Sequence, residues 1–124
     1  MASSRRQDLA GRGQRLTNRS LRFVCGLLED RSIPRRIVEQ TAGALTGIGG
    51  NLSETCAPLT RKQLAQSHRT ALREAYEAMH WLEALLDVGK GDPAEVRWLL
   101  AETREFVAML TVSVRNLCLP PRND

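Results

Sequence analysis

Glu77-Ala-Met-His80 is the only Glu-x-x-His in the chain. In a helical bundle that spacing belongs to di-iron sites, which need two such motifs and two further inward glutamates. Only one occurs here, and on a helical wheel Glu77 and His80 point away from the apolar stripe of their own helix. No metal is expected. Gly47-Ile-Gly-Gly50 offers phosphate-loop chemistry, but it lacks the third glycine of GxGxxG, no Gly-Lys-Ser/Thr follows and no strand precedes it. Cys25, Cys56 and Cys118 are far apart and form no CxxC pair, which excludes a zinc ribbon or a disulfide framework. They are expected to be reduced and to pack as small hydrophobes. His68 falls on an apolar stripe and reads as a buried histidine with a hydrogen-bond partner. No nucleophile has a base at catalytic spacing, so neither an enzyme nor a cofactor is expected.

The elements that position these residues read as four helices. The first spans roughly 17–31, with Leu21, Val24, Leu27 and Leu28 at 3–4 spacing. The second covers about 33–56, opened by Ser32-Ile33-Pro34, where Ser can cap and Pro fits the first turn, and ended before Pro58. The third covers 60–88, from the capping box Thr60-Arg-Lys-Gln63 to Gly89, along the stripe Leu64, Ala71, Leu72, Ala75, Met79, Leu82 and Leu86. The fourth covers 93–118 after Asp92-Pro93-Ala94-Glu95; Val96, Leu99, Leu100, Thr103, Phe106, Val107, Leu110, Val114 and Leu117 lie along it. No stretch alternates with period two. Short connections favour an all-α, antiparallel up-and-down four-helix bundle over residues 17–118, with a flexible basic arm over 1–16 and a tail over 119–124.

The second helix is built with two faces. Ile37, Thr41, Leu45, Ile48 and Leu52 share one sector at ~100° per residue, while Gly43, Gly47 and Gly50 fall nearly opposite, with Glu54 continuing their line. Each glycine inside a helix costs roughly 0.8–1 kcal/mol relative to alanine, so four of them (Gly49 included) call for an offsetting gain. Removing side chains lets another helix approach closely. The bare strip, with Trp81 and Trp98 off the main stripes of their helices, is therefore read as a surface for a neighbouring copy. The competing reading breaks the helix at Gly49-Gly50.

Charge is uneven along the 124 residues. The net value is +4, but residues 1–36 hold nine arginines against Asp8, Glu29 and Asp30, or +6, and the remainder holds −2. Arg5, Arg6, Arg12, Arg15, Arg19, Arg22, Arg35 and Arg36 are the candidates for phosphate contact with RNA or DNA. No aromatic lies inside the arm, so contact should be backbone-directed and salt-sensitive rather than by base stacking. The Arg- and Ser-rich start has the composition of a transit peptide, but a basic arm is the preferred reading. No apolar run approaches the ~18 residues that span a membrane, and no signal-peptide core follows the start; a cytoplasmic location without a membrane partner is the expectation.

"GIGGNLSET", "ALREAYEAMHWLEALLDVG" and "LLAETREFVAMLTVSVRN" resemble, in order, motifs of the bacterial four-helix-bundle proteins first noticed as products of 23S rRNA intervening sequences. The likeness covers roughly residues 20–118. It implies a homopentameric ring of four-helix protomers with no enzyme activity. It also implies kinship with the basic accessory proteins of diversity-generating retroelements, which bind nucleic acid and a reverse transcriptase. The family pattern falls on Gly49, Asn51, Glu54, Glu74, Glu77 and Trp81; Gly43 stands where many members have a basic residue. The resemblance implies a scaffold or adaptor that meets its own copies and then RNA, DNA or a protein. The alternative is a purely protein-binding helper.

Overall fold

The computed structural model describes residues 2–120, with side chains from residue 4 onward. Four helices follow one another: α1 (Ala2–Glu29), α2 (Arg35–Glu54), α3 (Arg61–Val88) and α4 (Pro93–Cys118). No strand occurs among the described residues. Packing proceeds in chain order, α1 on α2, α2 on α3, α3 on α4, while the backbones of α1 and α4 approach over only a short stretch. The bundle is thus open along one seam.

Local chemistry sets the helix ends. Thr60 and Gln63 form the reciprocal capping box, with Gln63 N–H donating to Thr60 Oγ1 at 3.1 Å and Thr60 N–H to Gln63 Oε1 at 2.9 Å. Gly89 closes α3 in the left-handed region at φ 72, which favours glycine. Asp92 caps α4 and Pro93 occupies its first turn. Ser32 does not cap α2: its N–H and hydroxyl both donate to Asp30 Oδ1, and Pro34 holds the N-cap position without a side-chain bond. The last turn of α4 is closed by Arg61 at the start of α3, which donates to the carbonyls of Asn116, Leu117 and Leu119.

Residues 2–16 are the first turns of α1 rather than a flexible arm. Leu9, Leu16 and Phe23 recur every seven residues. Leu16 and Phe23 are buried and Leu9 packs against the core, so the segment has its own apolar seam. The phase of α1 differs from the expected one as well. Val24 and Leu27 are buried as expected, but Leu21 and Leu28 are half exposed, and Leu16, Ser20 and Phe23 complete the inward face. The core stripes of α2, α3 and α4 are close to those read from the sequence, centred on Leu45, Ile48, Leu52, Ala71, Ala75, Leu82, Leu99, Phe106 and Leu110.

Helix α2 runs unbroken through Gly49-Gly50. The backbone that lies against it is that of α1. A Cβ placed on Gly49 would clash with Thr17 Oγ1 and sit 2.5 Å from the carbonyl oxygen of Gly13; one placed on Gly13 would meet the Gly49 Cα at 3.1 Å. Two glycines on facing helices therefore permit the α1–α2 crossing, and Thr17 completes it by donating to the Gly13 carbonyl at 3.0 Å.

Candidate functional site

Two surfaces emerge from this arrangement. The first is the outer face of α2 and α3. Gly43 and Gly50 are exposed, and a Cβ on either would meet nothing within 4 Å. Gly47, expected to be bare alongside them, is not: the Glu74 side chain of α3 lies over it, 2.9 Å from where a Cβ would stand. Asn51 Nδ2 donates to the Gly47 carbonyl at 2.7 Å. Burial raises the Glu74 pKa above the ordinary glutamate value, and the neighbouring Glu77 adds to the rise. Farther along α3, Trp81 is half-buried; its indole N–H reaches Glu77 Oε1 at 3.5 Å, and the exposed His80 ring stands edge-on to it, 4.7 Å between centroids. Glu77 and Glu54 are exposed. The family-pattern residues thus divide. Gly49 serves the α1–α2 crossing, Asn51 and Glu74 gather around Gly47, and Glu54, Glu77 and Trp81 line the outside.

The second surface is the α1–α4 seam. Arg19 makes a two-pronged pair with Glu95 at 2.7 and 3.0 Å, and its guanidinium lies 3.6 Å from the centre of the Trp98 ring. Arg12 pairs likewise with Glu102 at 2.9 and 2.7 Å, above Phe106. Such bidentate bonds are charge-assisted and directional. They hold both carboxylates below the ordinary glutamate range. Hence Arg12 and Arg19, candidates for phosphate contact, are engaged within the chain. Trp98, grouped with the glycine strip in the sequence reading, lies on this other side under Arg19. Arg35 pairs with Glu39 one turn on. Arg5, Arg15, Arg22 and Arg36 are exposed and make no ion pair among the described residues, and Arg6 is half-buried.

At the end of the seam, α1, α3 and α4 enclose a cleft of about 720 Å³ with His68 in its lining. His68 is buried, and its Nδ1 lies 2.6 Å from Ser113 Oγ. Burial, assisted by Arg6, pushes its pKa below the ordinary histidine value. Sequence reasoning placed His68 in the core but missed the cleft, which three helices build together. The cysteines were expected to be packed; all three are exposed, because Cys25 and Cys118 lie off the core seams of α1 and α4 and Cys56 lies in the turn after α2. Cys118 Sγ accepts from Arg69 at 2.7 Å. Among the described residues, no three His, Cys, Asp or Glu side chains converge as a metal site requires, and no helix is long and apolar enough to cross a membrane.

The class of protein that this architecture defines is a four-helix bundle open along its α1–α4 seam. Its fold is similar to that of a protein with unknown function from the S23 ribosomal protein family of Bacteroides thetaiotaomicron, solved by crystallography, with a TM-score of 0.78 and 19% identity over 86% of this chain and 98% of that one. That likeness concerns the fold. No protein-family model matches the chain, and no curated protein does.

Proposed function

We propose that this chain is a non-enzymatic scaffold that assembles with copies of itself through the outer face of α2 and α3. One observation carries the reading. Gly47 and Gly49 have partners within the protomer, but Gly43 and Gly50 are exposed positions in a helix with open space where their side chains would be. Together they forgo roughly 2 kcal/mol of helix propensity relative to alanine. A neighbouring helix seated on that strip supplies the offsetting gain, and the half-buried Trp81 of α3 offers an amphipathic contact of the kind enriched at interfaces. A ring of five copies, the state that the family resemblance implies, would carry about +20 of formal charge and steer toward polyanions.

Leucine at Gly43 and Gly50 tests the reading by sedimentation. The double variant should sediment as a folded species of lower mass than the parent, since the protomer has room for both side chains. A parent that sediments as a single chain, or a variant with the parent's oligomeric mass, refutes it.

A second reading concerns the ligand. Arg15, Arg22, Arg31 and Arg36 are exposed and make no ion pair among the described residues, which favours contact with the phosphate backbone of RNA or DNA, as in the retroelement accessory proteins. Filter retention of a labelled oligonucleotide should fall steeply between low and high salt, and fall again in Arg15→Gln/Arg22→Gln. A helper that binds only protein would show no salt-dependent retention.

A further inference from the structure

The arginine ladder of α1 continues one rung beyond its acids. Arg12 and Arg19, seven residues apart, meet Glu102 and Glu95, also seven apart, on the antiparallel α4. Met109, one heptad beyond Glu102, is a thioether that Arg12 Nη1 already reaches at 3.7 Å, and Arg5, one heptad before Arg12, makes no ion pair among the described residues. Both line the cleft at the end of the seam, together with Arg6, Arg61 and His68. No described residue that lines it is acidic. Its volume lies within the range of sites that hold small organic molecules. His68 is only 5% exposed, and its Nε2 has no hydrogen-bond partner among the described residues, a costly state for a buried polar atom. Leu9 and Met109 supply apolar wall.

We propose that this cleft binds a small amphiphilic anion: a carboxylate or phosphate monoester on a short apolar chain. The head group sits between Arg5, Arg6 and His68, and the tail lies along Leu9 and Met109. Arginine donates charge-assisted bonds to such oxygens. Arg61 already donates to three carbonyls at the end of α4, so it contributes field rather than donors. His68 Nδ1 lies 2.6 Å from Ser113 Oγ and its Nε2 is closed off from the cleft, so the ring meets the head group through its charge and Arg5 and Arg6 supply the direct bonds. A bound anion offsets the Arg6 charge, one of the two influences that lower the His68 pKa, and moves it upward. The inference stands apart from self-assembly, since the cleft is built within one protomer.

The test titrates octanoate, octyl phosphate, inorganic phosphate and octanol into the full chain carrying nitrogen-15 histidine, and follows the His68 ring nitrogens by NMR. The two octyl anions should bind at least about tenfold more tightly than octanol or inorganic phosphate, with the His68 ring resonances shifting as they bind. The tighter of the two identifies the head group. Arg5→Gln/Arg6→Gln, which alters side chains outside the core, should weaken the octyl anions by about tenfold or more and leave octanol unchanged. Equal binding of octanol and octanoate, an indifferent arginine variant, or binding that leaves His68 unmoved would each overturn the proposal.

Discussion

A single methyl group should change sign in its effect between two glycines of this bundle. At Gly49 an alanine Cβ would collide with Thr17 Oγ1 and with the carbonyl of Gly13, so the obstruction is largely the backbone of a neighbouring helix rather than a side chain that can swing aside. Alanine gains about 0.8–1 kcal/mol of helix propensity at any interior position. Overpacking costs about 1–3 kcal/mol, and a backbone obstruction belongs at the upper end. The net expectation for Gly49→Ala is a loss of about 2 kcal/mol. With about 3–6 °C per kcal/mol for a chain of this size, the midpoint should fall by ~6–12 °C. Gly26→Ala, on an exposed stretch of α1 with nothing within 4 Å, should instead raise it by about 3–6 °C. Thermal unfolding followed by far-ultraviolet circular dichroism measures both, with sedimentation confirming equal mass before the comparison. If Gly49→Ala is as stabilising as Gly26→Ala, α1 does not cross α2 at this glycine pair and the account of the fold is wrong.

Acid should break the two ion pairs that bridge α1 and α4. The folded-state pKa values of Glu95 and Glu102 lie below the ordinary value because arginine hydrogen bonds favour the charged form. Their stabilisation is therefore present above the unfolded pKa and lost as pH falls through the folded one; Glu102→Gln should flatten the acid limb of a midpoint-versus-pH curve, and an unchanged limb would show the pair to be inert. Cys25, Cys56 and Cys118 are exposed in the single chain, so a thiol-reactive chromophore should titrate three thiols in dilute native buffer. Fewer than three before denaturation would contradict the exposed placement of these thiols.

The stripes of α2, α3 and α4, the capping box at Thr60 and the left-handed stop at Gly89 were all legible in the sequence, because each depends on residues within a few turns of one another. The extent and phase of α1 were not. Its seven-residue apolar period starts at Leu9 and passes Gly13 and Ser20, positions that carry no apolar signal of their own. Gly13 earns its place only through a second glycine 36 positions away. The glycines illustrate the same division. Their spacing marked α2 as a helix with a bare side, yet only the neighbours could separate Gly49, against α1, from Gly47, beneath Glu74, and from Gly43 and Gly50, which face outward. Heptad-spaced arginines on one helix and heptad-spaced glutamates on another were present in the string of letters, but matching them requires the antiparallel register. By itself the sequence determined what local hydrogen bonding and amphipathic period determine: four helices, where three of them begin and end, and which side of each is oily. Tertiary structure decided which charges cancel, which glycine touches which backbone and where a cleft remains, since those depend on distances between segments that the chain order does not encode.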